Sequence, residues 1–251
     1  MFFTEALVES VKKTPGEGRL CRNILLEPKE QMYREAIRYL GYKSETDLTP
    51  EIDDLVRKGL DEICSIAEPR TIYRYFFLDG QKPGDFSISK NSNSACSSGA
   101  CSISLQQYEG VILMGATLGG SVDRLLSRIQ IRNISYALVL DSCATAAIEA
   151  ICDDLQNNLT AIYAAQNRYL TNRYSPGYGD LPLSAQIPLL QMLDTERKIG
   201  LSLTPSFLLT PSKSVTAIIG VSTVPQKKEH VSCDICEMRH VCHFRRREVS
   251  L

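Results

Sequence analysis

Residues 110–129, GVILMGATLGGSVDRLLSRI, change from one hydrophobic pattern to another. The first part is almost continuously apolar and predicts a short buried strand at residues 110–116. Apolar residues then recur at helical spacing, which predicts that the strand leads into a helix; they are Leu118, Val122, Leu125, Leu126 and Ile129. The Gly119-Gly120 pair lies near the start of that helix. Because no Lys-Ser or Lys-Thr follows the pair, it favours close packing over a phosphate-binding loop.

The mixture of helices and strands continues along the chain. The patterns predict helices at residues 28–39, 50–68, 135–159 and 183–193, and strands at residues 70–78, 168–174, 206–209 and 214–221. Turn-forming residues at 210–213 predict that the last two strands pair as a hairpin. Because no regular βαβ repeat is visible, the sequence predicts an α+β fold with a mixed or antiparallel twisted sheet flanked by helices.

The length and composition are those of a globular protein. The chain has 251 residues, of which 43% are hydrophobic and 23% charged, so it can bury a sizeable core. We expect one domain at residues 1–225, with a serine-rich insertion at residues 89–102. A Cys- and His-rich tail follows at residues 226–251.

Net charge and the number of cysteines indicate which partners and which compartment to expect. A formal net charge of -1 argues against a protein whose main role is to coat nucleic acid or an anionic membrane, so neither is expected as a partner. Nine cysteines, an odd number at low density, favour a reducing compartment. The first residues show no secretory signal, and the mostly apolar residues 136–151 are fewer than the roughly 20 that span a bilayer. We therefore expect a cytoplasmic protein.

The most distinctive segment is residues 173–182, RYSPGYGDLP. Arg173 enters a bend that contains Pro176 and Gly177, and a guanidinium can pair bidentately with a carboxylate. Glycine lets a ligand approach the main chain, and Tyr178 offers a flat face with a polar tip. These residues are consistent with a carboxylate site, and equally with a strand-to-helix corner that leaves Arg173 on the surface.

Two acidic residues lie on the long helix predicted at residues 135–159. Asp141 and Glu149 are about two turns apart on similar faces, so they could address a cation or a polar ligand in a cleft. Carboxylates that are solvated or that pack against another helix are the alternative. Glu149 is thus a candidate ligand contact.

Further motifs occur in a recognisable order around this segment. They are Arg38-Tyr39-Leu40-Gly41-Tyr42, Pro69-Arg70, Thr117-Leu118-Gly119 to Val122-Asp123-Arg124, Asp141 to Glu149, Lys198-Ile199-Gly200-Leu201, and Ser206-Phe207 to Pro211-x-x-Ser214-Val215. Together with Arg173-x-x-Pro176-Gly177-Tyr178, they resemble the activation (reactivation) domain of vitamin B12-dependent methionine synthase. The stand-alone members of that family are the most similar, and the resemblance covers roughly residues 25 to 221.

The resemblance implies an activation domain-like fold that binds S-adenosylmethionine and lies over a cobalamin held by a partner. The partner would be a corrinoid-binding methionine synthase or a related methyltransferase. Repair of its oxidised cobalamin needs one methyl group, from S-adenosylmethionine, and one electron, from a flavodoxin-like or ferredoxin-like donor. The chain would be an accessory component of methionine biosynthesis that is not active alone.

The resemblance also implies roles for individual residues. Arg173 would bind the methionine carboxylate, the main chain at Ser175, Pro176 and Gly177 would hold the ligand, and Tyr178 would face the ligand or the corrinoid. The family's acidic contact near the start of the domain has no match here. Residues 221–225 replace its late tyrosine-bearing segment.

The tail carries a second candidate site, Cys233-x-x-Cys236-x-x-x-His240-x-Cys242. Two thiolates at this spacing can share a metal, and a further Cys or His can complete a zinc site or an iron–sulfur site. A tail with free thiols is the alternative. All three histidines, including His230 and His243, lie near the C-terminus, so a histidine-based hydrolase site inside the main domain has no candidate base.

Two other functions remain open from the residues. One is an iron–sulfur redox protein that docks a corrinoid protein, with the cluster in the tail. The other is a metal-stabilised interaction domain that binds no ligand.

Overall fold

The computed structural model describes residues 19–22, 26–42, 47–77, 108–178 and 181–225. The expected serine-rich insertion and the Cys- and His-rich tail lie outside these ranges, so the predicted division at residue 225 stays a prediction.

In the part of the chain that the structure describes, the sheet has five strands, and three long ones form its centre: β2 (Arg70–Phe77), β3 (Gly110–Thr117) and β7 (Ser214–Ser222). Two short strands, β1 (Arg19–Arg22) and β4 (Tyr169–Leu170), complete the order β1-β2-β3-β7-β4. Every neighbouring pair is antiparallel. The predicted α+β fold is therefore confirmed, with an antiparallel sheet.

Within the described ranges, four helices cover one face of the sheet: α1 (Glu30–Tyr39), α2 (Pro50–Ile66), α3 (Gly120–Arg132) and α4 (Ile134–Ala164). Helix α2 begins where the sequence predicts, with Thr49 at the N-cap position and Pro50 in the first turn. Small residues such as Ala144 and Ala147 are buried along α4, and they let the long helix approach its neighbours closely.

The other face of the sheet packs against a shorter helical layer. A 3-10 turn (Leu183–Ala185) leads into α5 (Gln186–Leu193) and α6 (Thr195–Ile199). Successive residues of β3 point to opposite faces, so Val111 and Leu113 pack with α5 and α6 while Ile112 and Met114 pack with the larger helical layer. The continuously apolar run of β3 follows from this burial on both faces.

The expected hairpin between residues 206–209 and 214–221 is wrong. Strand β6 (Leu209–Thr210) pairs instead with β5 (Ser202–Leu203) in a separate two-stranded ribbon. The connection to β7 is held by α3, because the amide and hydroxyl groups of Ser212 donate to the two carboxylate oxygens of Asp123 at 2.8 and 2.7 Å.

The expected strand at residues 168–174 is shorter in the structure. Of residues 168–174, only Tyr169 and Leu170, which form β4, pair continuously with β7, and Tyr174 forms one isolated bridge with Ile218. Helix α4, in turn, extends to Ala164, beyond the expected end at residue 159.

Helix α4 has the length and apolar composition of a membrane-spanning helix, which was not expected from residues 136–151. However, 56% of the most apolar 18-residue stretch of α4 is buried inside the fold. A core helix meets the same two criteria, and α4 occupies the core position beneath the sheet.

Shortening a buried leucine of α4 tests this packing. Leu140 is fully buried, so Leu140→Ala should lower the free energy of unfolding by about 2–5 kcal/mol in urea denaturation. Leu138, on the same helix, is 60% exposed, and Leu138→Ala should change it by less than about 0.5 kcal/mol. Equal losses in the two variants would contradict the described orientation of α4.

Candidate functional site

A cleft of about 190 Å³ lies between α1, α4 and the segment that follows β4. Helix α1 contributes one wall and α4 the opposite wall, while Arg173 reaches in from the segment after β4. The small side chains of Ala146 and Ala150 leave space between the two helices. The lining residues are Gln31, Met32, Glu35, Tyr39, Ala146, Glu149, Ala150, Asp153 and Arg173.

Arg173 is the cation of this cleft, and three side chains of α4 accept its hydrogen bonds. Its Nη2 donates to Asp153 Oδ1 at 2.7 Å and to Glu149 Oε2 at 3.3 Å. Its Nη1 donates to Gln156 Oε1 at 2.9 Å. The three acceptors follow one another at i, i+4 and i+7, so they share one face of the helix.

Gln156 links the arginine to the main chain. Its Nε2 donates to the carbonyl oxygen of Thr171 at 3.2 Å, while its Oε1 accepts from Arg173. Since Thr171 lies two residues before Arg173, this amide holds the start of the segment and the guanidinium against the same turn of α4. Gln156 is therefore a positioning residue for the cation.

The charges of this cluster favour a permanently ionised arginine. Burial lowers the pKa of Arg173, but the hydrogen bond to Asp153 and the negative charges around it outweigh burial, so its pKa is raised above its ordinary value. Two carboxylates face one guanidinium. The cluster thus carries an excess of negative charge while it keeps one fixed cation.

Helix α1 supplies the opposite wall. Glu35 forms an ion pair with Arg38, whose Nε lies 3.0 Å from Glu35 Oε2, and the Arg38 guanidinium lies 4.3 Å from the centroid of the Tyr39 ring. Burial raises the pKa of Tyr39, although the charge of Arg38 lowers it, and the charge of Glu149 raises it further. The Tyr39 hydroxyl therefore stays protonated at neutral pH and offers the cleft a neutral polar group.

In the bend after Arg173, main-chain amides that were expected to bind a ligand donate hydrogen bonds within the bend. The amide of Gly177 donates to the carbonyl of Leu181 at 2.8 Å, and the amide of Tyr178 donates to the carbonyl of Ser175 at 3.2 Å. Both amides are thus used inside the bend. Pro176 is buried, and the Tyr178 side chain is 71% exposed.

The structure brings together two of the six expected ligand contacts, Arg173 and Glu149. Among the described residues that line the cleft, the expected contacts Ser175, Pro176, Gly177 and Tyr178 do not appear. They follow Arg173 directly in the chain, so they form a corner beside the cleft. Their proposed ligand roles stay predictions.

Asp141, expected to share a ligand face with Glu149, has a different partner. Its Oδ1 lies 2.8 Å from Lys213 Nζ, which also donates to Thr145 Oγ1 at 2.9 Å. Residues eight positions apart on an α-helix are separated by two full turns and roughly 80° more. The side chains of Asp141 and Glu149 therefore point in different directions from α4. Asp141 therefore holds the connection before β7, while Glu149 lines the cleft.

Four residues of the site had no role predicted from the sequence: Asp153, Gln156, Glu35 and Tyr39. The spacing of Glu149, Asp153 and Gln156 is visible in the sequence and could have identified the polar face of α4. Tyr39 lies within one of the motifs that carry the resemblance, but its place in the cleft wall depends on how α1 and α4 pack.

The expected metal ligands Cys233, Cys236, His240 and Cys242 lie outside the described residues. Within the ranges that the structure covers, no group of three or more His, Cys, Asp or Glu side chains is arranged to hold a metal ion. Zinc or an iron–sulfur cluster in the tail therefore stays a prediction.

Three cysteines of the main domain have described side chains, and all three are free thiols: Cys64, Cys143 and Cys152. Burial raises the pKa of Cys143 and of Cys152 to about 12, and that of Cys64 to about 11. At neutral pH these thiols are protonated and weakly nucleophilic, as expected for buried, inert cysteines.

The glycine in the bend beside the cleft can be tested directly. Gly177 has a φ of 93°, and a Cβ at this position would lie 2.9 Å from Leu183 Cδ2. Gly177→Ala should lower the free energy of unfolding by about 1–3 kcal/mol, measured by urea denaturation. Gly120→Ala is the control, since its Cβ would meet only the Arg124 side chain at 3.4 Å. If Gly177→Ala left the free energy of unfolding unchanged, the bend would not require glycine.

Comparison with known proteins adds a match to a family model over part of the chain and a shared fold. Residues 133–247 match the family model described as vitamin B12 dependent methionine synthase, activation domain. No curated protein matches the chain. These residues include α4 and the segment with Arg173, so the resemblance drawn from the motifs is confirmed over the part of the chain that carries Glu149, Asp153 and Arg173.

A solved structure extends the likeness to most of the chain. The crystal structure of the MetH reactivation domain bound to AdoHcy matches with a TM-score of 0.55 and 15% sequence identity. The match covers 85% of this chain and 80% of that chain. At this identity the likeness shows a shared fold.

Proposed function

We propose that this chain, whose residues 133–247 match the activation domain of vitamin B12-dependent methionine synthase, binds S-adenosylmethionine. In doing so it would support reductive remethylation of a cobalamin held by a partner methyltransferase. The observation that carries the proposal is the cleft in which the mostly buried Arg173 faces Glu149 and Asp153.

The charges of the cleft suit the amino-acid end of this ligand. A guanidinium can pair with the α-carboxylate, and the Glu149 carboxylate of α4 can pair with the α-ammonium or with the sulfonium. Pockets for whole ligands of this size usually measure about 300–1,000 Å³, whereas the cleft measures about 190 Å³. We therefore propose that the cleft takes the methionyl end and that the nucleoside extends along the surface.

Each residue of the site then has a physical task. Arg173 binds the carboxylate, Gln156 holds the guanidinium in place, and Glu149 faces the cationic part of the ligand. Tyr178, which is exposed at the adjoining corner, faces the corrinoid of the partner. When bound, S-adenosylmethionine supplies the methyl group, and the protein contributes orientation rather than covalent chemistry.

The remaining components would come from other proteins. A flavodoxin-like or ferredoxin-like donor would provide the one electron, and a corrinoid-binding methionine synthase or related methyltransferase would provide the cobalamin. We propose that the chain is an accessory component in the cytoplasm that is not active alone. An iron–sulfur redox protein would instead require a visible chromophore in the purified protein.

Replacement of the arginine tests ligand binding. Arg173→Ala should weaken S-adenosylmethionine binding about 10- to 100-fold in calorimetry, since a hydrogen-bonded ion pair to the ligand is lost. The matched control is Arg168→Ala, because Arg168 lies just before β4, near Arg173 in the chain, but pairs with Glu109 outside the cleft. Thermal unfolding should show that both variants fold.

An unchanged affinity in a folded Arg173→Ala variant would overturn the assignment of the carboxylate site. A wild-type protein that binds no S-adenosylmethionine would overturn the proposed function. A reactivation assay with a corrinoid methyltransferase whose cobalamin has been oxidised tests the next step. Added chain should restore methyl transfer only when S-adenosylmethionine and a reductant are both present.

A further inference from the structure

We infer that Asp153 occupies the position on Arg173 that the carboxylate of the ligand takes, so that ligand binding exchanges one carboxylate for another. The inference rests on the proposed function. It assigns to Asp153 the role of an internal competitor, a role that follows from three features of the cleft.

The first feature is the distance. Asp153 Oδ1 lies 2.7 Å from Nη2 of Arg173, while Glu149 Oε2 lies 3.3 Å from the same nitrogen. Asp153 is thus the closer of the two carboxylates. A ligand carboxylate that approaches Nη2 meets an acceptor that already occupies its place.

The second feature is the difference in exposure within the pair. The side chain of Arg173 is only 18% exposed, and Gln156 holds its Nη1. The side chain of Asp153 is 43% exposed. The arginine therefore stays in place, while the aspartate can turn toward water at little cost, because a partly exposed ion pair contributes little net stability.

The third feature is the second carboxylate. Glu149 is 40% exposed and farther from Nη2, so it can keep facing the cleft when Asp153 turns away. It then serves as the partner of the ligand's ammonium group. The site consequently distinguishes ligands that bring a carboxylate, which replace Asp153, from ligands that bring none.

The test compares Asp153→Asn with Asp154→Asn. Asparagine keeps the shape of the side chain but removes the charge that competes for Arg173. Asp154 is the matched control, because it is the next residue on α4 but pairs with Lys29, and neither of these residues lines the cleft. The two variants change the net charge of the chain equally.

The probe is S-adenosylhomocysteine, measured by calorimetry. It carries the α-amino acid group but no sulfonium, so it is neutral overall and responds weakly to the general loss of one negative charge. Asp153→Asn should bind it about two- to fivefold more tightly than wild type, which corresponds to the strength of a partly exposed ion pair. Asp154→Asn should bind it with unchanged affinity.

A second probe separates carboxylate exchange from a general change in the cleft. 5′-Methylthioadenosine has the nucleoside and the thioether but lacks the amino-acid group. Its affinity should be the same in wild type and in both variants. Thermal unfolding of each variant confirms that the compared proteins are folded.

Each alternative outcome has a distinct meaning. Unchanged or weaker S-adenosylhomocysteine binding by Asp153→Asn would overturn the inference and leave the proposed function intact. An equal gain for both probes, or an equal gain in Asp154→Asn, would also overturn it. If wild type and both variants bind neither S-adenosylhomocysteine nor S-adenosylmethionine, the proposed function fails and the inference fails with it.

Discussion

Burial of strand β3 on both faces is the constraint on which the rest of the fold depends. Every residue from Gly110 to Thr117 is buried, so neither face of the central sheet can be left to water. The antiparallel neighbours β2 and β7 extend the two apolar faces, and helices must cover both. The larger layer, with α4 at its centre, and the smaller layer of α5 and α6 meet this requirement.

The cleft is a consequence of how α4 serves this core. One face of the helix packs into the core with small and aliphatic side chains. Glu149, Asp153 and Gln156 lie on a partly exposed face of the same helix. The segment after β4 passes close to that point and brings in Arg173. The cleft therefore holds one guanidinium beside two carboxylates.

The local elements could be predicted from the sequence where the pattern is strong. The start of α2 at Pro50 and the strands β2 and β3 follow from a proline in the first turn, hydrophobic period and apolar runs. Local sequence patterns could not predict the connection at residues 210–213, because Ser212 is hydrogen-bonded to Asp123 on α3. That contact joins residues far apart in the chain, and no turn propensity reports it.

The sequence by itself determined the fold class, the family resemblance and the candidate status of Arg173, because periodicity and motif order are properties of neighbouring residues. The tertiary structure alone decided which groups surround Arg173. The acids and the amide of α4 reach the guanidinium because the segment after β4 returns along that helix, and α1 forms the opposite wall because its apolar face packs on α4. The energy of an ion pair depends on the distance between the two charges in space, and this distance cannot be read from the order of residues in the sequence.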